Sequence, residues 1–86
     1  MLNRDVDPVA WTQFMYQLTD AHEHLVDLIK RLNAKEQIAD TDFAVDLGHI
    51  YAHLNRAWHC KNEIGEISDE NWPKFSAFST DVRPLG

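Results

Sequence analysis

The stretch from Thr41 to Ile67, TDFAVDLGHIYAHLNRAWHCKNEIGEI, decides the fold. Phe43, Leu47, Ile50, Leu54, Ala57 and Ile64 recur at alternating steps of four and three, with Lys61 filling one gap. That spacing is a helical heptad seam. Ala44, Tyr51 and Trp58 make a second stripe beside it. An apolar face this wide is more than one partner helix covers, so the helix should touch at least two other elements. Asp40 or Thr41 is placed to cap its start, and Asp42 in the first turn suits the helix dipole. Gly48 inside it costs about 1 kcal/mol. The same stretch holds three of the five histidines, the single cysteine and one of the three tryptophans.

Working outward, the partner lies upstream. Asp7-Pro8 is a helix start, with Asp7 as N-cap and proline at the first helical position. Trp11, Phe14, Leu18, Ala21, Leu25, Leu28 and Leu32 then form a second seam, flanked by Met15, His22 and Ile29. No glycine or proline interrupts the segment from Val9 to Ala39. The pattern predicts a first helix over about 8–36 and a second over about 41–67. The link near Gln37–Asp40 is short, so the two are antiparallel neighbours. Antiparallel pairing sets Leu32 on Phe43, Leu28 on Leu47, Leu25 on Ile50 and Ala21 on Leu54. It continues with Leu18 on Ala57, Phe14 on Lys61 and Trp11 on Ile64. Large faces small at two layers, as interdigitating helices require. Lys61 is expected to lay its stem along Phe14. Downstream, Ser68–Asn71 reads as a polar break. Pro73 starts a short third helix over about 72–78 carrying Trp72, Phe75 and Phe78, and 79–86 reads as an extended tail.

Composition narrows the function classes. The chain has 86 residues, 44% apolar and 26% charged, with only three glycines, which suits one small helical domain. A formal charge of −6 without a basic stripe argues against nucleic acid and against anionic membrane surfaces. A lone cysteine favours a reducing compartment, and the N-terminus lacks the apolar run of a signal peptide. A cytoplasmic location is the expectation.

The flanks of the hairpin differ. One carries Met15, His22, Ile29, Ala44, Tyr51 and Trp58 and is mostly apolar; the other carries Gln17, His24, Arg31, Asp46, His53 and Cys60. In the antiparallel register Arg31 meets Asp46, His24 meets His53 and Gln17 meets Cys60. The plain reading of this second flank is a solvated polar edge with no metal and no cofactor. The sharper one joins His24, His49 and His53, together with a carboxylate such as Asp46, into a zinc or iron ligand set. HExxH, CxxC and the paired ExxH of di-iron bundles are absent. His22, near Tyr51 and Trp58, is expected to be buried and hydrogen-bonded, and His59 to lie at the surface. Glu63, Glu66 and Glu70 resemble a magnesium-binding edge but have no acidic partners opposite, and Cys60 beside His59 makes a weak nucleophile.

The expected architecture is all-α: a two-helix hairpin plus a short C-terminal helix or aromatic segment, completing a four-helix bundle as a homodimer. Met15, Ile29, Tyr51, Trp58, Trp72, Phe75 and Phe78 are the expected interface. The leading functional expectation is a non-enzymatic protein–protein interaction module, with an unknown protein as a further partner. The alternative is a zinc- or iron-binding protein that uses His24, His49 and His53.

Overall fold

The computed structural model describes residues 2–61 and 66–86 and contains two long helices and a short one, with no strand among them. Helix α1 runs Pro8–Lys35, where the sequence places it. The Asp7 carboxylate accepts from the Ala10 amide at 3.1 Å, satisfying one of the amides a helix start leaves free. Glu36, at φ 54, closes the other end by donating its amide to the Leu32 carbonyl at 2.8 Å.

Helix α2 runs Asp40–His59. Its N-cap is Ala39, without a side-chain cap, so neither Asp40 nor Thr41 takes that role. Both Asp40 and Asp42 instead lie in the first turn, where their charge meets the positive end of the dipole. The helix ends well short of Ile67. Cys60 is its C-cap, and Lys61 donates its ammonium to the Trp58 carbonyl at 2.9 Å while lying 3.6 Å from the centre of the Trp58 ring. Lys61 therefore sends its ammonium back to its own helix end, in a cleft that Phe14 also lines. The expected Trp11–Ile64 layer and Glu63 lie outside the described residues, and Glu66–Ser68 carry no helix.

The hairpin is rolled toward its polar flank. Phe14, Ala21, Leu28, Ile50 and Ala57 are buried, whereas Leu18, Leu25 and Leu54 on the other half of the seam are not. Leu28 is 2% exposed and Leu25 42%. Ala21 and Ala57 let the helix backbones approach closely, and the flanking polar groups pair with one another, so bringing them inside costs little. Ala21, Leu28 and Ile50 form the core, with Leu32, Ile38 and Leu47 packed on it.

Helix α3, Trp72–Ser76, is shorter than the sequence suggests, because Ala77 turns extended. It packs on α2 and not on α1. Asn55 Nδ2 donates to the Ser76 carbonyl at 3.0 Å and Arg56 Nη1 to the Ser76 hydroxyl at 2.7 Å. Residues 77–86 carry no regular structure.

Truncation separates the two halves of the seam. Leu28→Ala is expected to cost about 2–5 kcal/mol and Leu25→Ala only about 1 kcal/mol, read from urea unfolding at micromolar protein. A Leu25→Ala cost that equals the first and grows with protein concentration would mean that another copy covers that side.

Candidate metal centre

The roll carries three histidines from two helices into one group. His24 is on α1; His49 and His53, four apart, share a face of α2. Their ring centres lie 4.2 Å apart for His24–His49, 5.1 Å for His24–His53 and 5.0 Å for His49–His53. One ligating nitrogen from each lies within 4.8 Å of the others. Zinc–nitrogen bonds of about 2.0–2.1 Å put tetrahedral ligand nitrogens roughly 3.4 Å apart, so small rotations of the side chains would close the set. His24 and His49 are exposed and free to turn, while His53 is only 9% exposed and held.

What holds His53 is a chain of hydrogen bonds. Arg56 Nε, which can only donate, faces Gln17 Oε1 at 3.3 Å and so fixes which end of that amide points inward. The same oxygen lies 2.9 Å from His53 Nδ1, a contact that becomes a donated hydrogen bond in the tautomer with the proton on Nδ1. Arg56 Nη2 lies 3.2 Å from the same Nδ1, so its charge also bears on this ring. That tautomer leaves the Nε2 lone pair free. Nε2 is buried and has no hydrogen-bond partner among the described residues. Nδ1 bonded to an amide oxygen with Nε2 free is the arrangement that orients histidine ligands in metal sites.

The electrostatics act in the same sense. Burial, then the charge of Arg56, then His49 pull the His53 pKa below its usual 6.5, with Asp20 opposing. The ring stays neutral and its lone pair stays available. Burial also lowers the pKa of Arg56, which is only 5% exposed. An arginine remains charged under such a shift.

Asp46 does not join the ligand set. It accepts from Arg31 Nη1 at 3.1 Å, while Arg31 Nε donates to Asp27 at 2.8 Å, and the Asp46 bond leads the causes that raise the arginine pKa. The Arg31–Asp46 and His24–His53 pairings of the sequence register are thus present. Gln17 bonds to His53 and Arg56, and it lines one small cleft with Cys60.

The remaining candidates fall elsewhere. His22 is exposed, not buried, and has no hydrogen bond with a described residue, because its face of α1 is the one the roll leaves outside. His59 is half-buried: it stacks on Phe75 at 5.5 Å, and its Nε2 lies 3.2 Å from the Ala77 carbonyl. Trp72 lies under Arg56, with the guanidinium carbon 4.3 Å from the ring centre. Of the aromatic trio only Phe78 reaches the apolar stripe, with its ring 5.3 Å from that of Tyr51. Trp58 donates its indole N–H to Asp81 at 3.0 Å. Met15 and Ile29 remain exposed. Arg56 is the residue that sequence reading misses; its signal is position, three after His53 and so on the same helix face.

Comparison with protein families, with curated proteins and with solved structures finds no match. No helix among the described residues is long and apolar enough to cross a membrane.

The depressed His53 pKa fixes a pH dependence for the metal-free chain. Below about pH 6.5 the unfolded chain takes up a proton that the folded chain refuses, so stability falls as pH drops toward the folded-state pKa. Above pH 6.5 the contribution is whole. Urea midpoints in EDTA are expected to fall between pH 7.5 and 5.5, and His53→Gln to flatten that slope.

Proposed function

We propose that the chain is a small metal-binding helical protein, with His24, His49 and His53 as the ligands of a zinc-type divalent cation. The observation that carries this reading is His53 Nε2: a buried nitrogen without a hydrogen-bond partner among the described residues, on a ring stacked against the two other imidazoles. Leaving such an atom unpaired costs roughly 1–3 kcal/mol, and a bound cation removes that cost. Zinc is favoured over iron by the donor set. Among the described residues the group within ligand reach is three imidazoles and includes no carboxylate, with Asp27 and Asp46 engaged by Arg31, so the two-histidine, one-carboxylate face of non-haem iron sites is lacking, whereas an all-imidazole set suits zinc. Three protein ligands leave a fourth position for water or for a group from a partner.

The test is a titration of the purified chain, stripped with EDTA, with zinc and with cobalt(II). One equivalent is expected to bind, cobalt giving the intense visible bands of a near-tetrahedral site. At a hundredfold excess over Kd, zinc should stabilise the fold by about 2.7 kcal/mol, reversibly on chelation. His24→Asn, an exposed substitution, should abolish both effects, and His22→Asn should change neither. A melting temperature indifferent to zinc, or binding that survives His24→Asn, would sink the reading.

A second reading rests on the open half of the seam. Leu18, Leu25 and Ile29 recur along one face of α1, the helix that α3 does not touch, and each is more than a third exposed. A contiguous apolar face of this kind suits an isologous contact with a second copy, giving a four-helix bundle. Light scattering should then return about twice the 10.0 kDa chain mass, and Leu25→Glu should return the monomer mass while leaving the helix content unchanged. A monodisperse native monomer at high concentration would rule the dimer out.

A further inference from the structure

At the far end of the open face the C-terminal segment turns the stripe into a cleft. Tyr51, Leu54 and Trp58 of α2 form its floor, and the extended segment beginning at Phe78 forms its wall. The segment is pinned by the Tyr51–Phe78 ring contact and by the Trp58 indole bond to Asp81. The cleft holds about 670 Å3, inside the roughly 300–1,000 Å3 range of small-ligand sites, and apolar side chains dominate it. Its charged groups are what make it specific. Among the described residues Lys61 and Arg83 line it and no acidic residue does, in a chain with 14 acidic residues against eight lysines and arginines. One of the three ammonium donors of Lys61 is committed to the Trp58 carbonyl, and Arg83 makes no hydrogen bond or ion pair with a described residue.

We propose that this cleft binds a small amphipathic carboxylate, a medium-chain fatty acid in shape and charge, with its apolar body along Tyr51, Leu54 and Trp58 and its carboxylate between Lys61 and Arg83. Two cations at the edge of an apolar floor select an anion with an apolar body over an alcohol or a cation of the same length. The wall at 78–84 decides against a second copy as the occupant at this end. A helix is about 10 Å across with its side chains, and it would have to displace the segment that Trp58 holds. The inference is independent of the metal site, which lies on the opposite flank of the hairpin.

The experiment uses the full chain in EDTA, so that no metal can take up the carboxylate. Decanoate, decanol and decyltrimethylammonium are titrated below their micellar concentrations and followed by the amide and indole N–H resonances, Trp58 Nε1–H above all. Decanoate is expected to bind at least about tenfold more tightly than decanol, equivalent to about 1.4 kcal/mol, and the cationic amphiphile more weakly still. Lys61→Met and Arg83→Met should each weaken decanoate by about fivefold and leave decanol unchanged. Lys61 closes α2, so if Lys61→Met fails to fold, the exposed Arg83→Met decides. Equal affinity for all three amphiphiles, or shifts that bypass Trp58 and Phe78, overturns the proposal. So does a solution dimer that buries Tyr51 and is unaffected by decanoate, since the occupant would then be a second copy.

Discussion

The three helices meet on one buried charge. Arg56 reaches α1 through Gln17 Oε1 and lies beside His53 of its own helix, and it holds α3 through the Ser76 hydroxyl and the face of Trp72. None of these partners is a carboxylate. A guanidinium taken out of water costs several kcal/mol unless its donors are met, so every neighbour of Arg56 is constrained in position and in orientation. Asp20 supplies an opposing field to both His53 and Arg56, behind that of Cys60 for the arginine. Remove the charge and Gln17 loses the group that sets its amide. The orientation of the His53 ring then loses its support, and α3 keeps only the Asn55–Ser76 bond and the His59 contacts with Phe75 and Ala77.

That constraint explains why the polar flank lies inside. A seam of leucines alone would bury its two halves equally. Here Ala21 and Ala57 permit a close approach, and the Gln17, His53 and Arg56 chain rewards rotation toward the flank, so Phe14, Leu28 and Ile50 close together while Leu25 and Leu54 swing outward. One rotation therefore has two results: it gathers the histidines and it opens an apolar face on the other side. The metal reading and the dimer reading are consequences of the same packing choice and are compatible with each other.

Much of the hairpin is legible in the residues. Asp7-Pro8 gives the start of α1, the uninterrupted run to Ala39 gives its length, and the antiparallel register gives the Arg31–Asp46 and His24–His53 encounters. The end of α2 is not legible, because periodicity continues past the point where Lys61 caps the chain. Nor is the roll. Heptad reading assigns burial by side-chain type, while the rotation is decided by which polar groups can satisfy one another, and that depends on distances a sequence does not carry. His24, His49 and His53 are visible as a candidate set from spacing alone. The unpaired Nε2 that singles them out depends on Arg56, whose role appears only when Gln17, thirty-nine positions earlier, lies against it. The destinations of Trp72 and Phe75 are hidden for the same reason: Arg56 and His59 attract them away from the stripe that their apolar character alone would choose.

The turn between the long helices bears on how stable this chain can be made. Glu36 sits in the left-handed region at φ 54, where a residue with a Cβ is disfavoured by about 1 kcal/mol and where glycine or asparagine is usual. It also sets a negative charge at the carbonyl end of α1, which the helix dipole disfavours. Both effects run against stability at a site far from the histidines and from the apolar cleft. The turn thus sits below the stability that glycine would give it, and a glycine there is a stabilising substitution that touches neither the histidines nor the cleft.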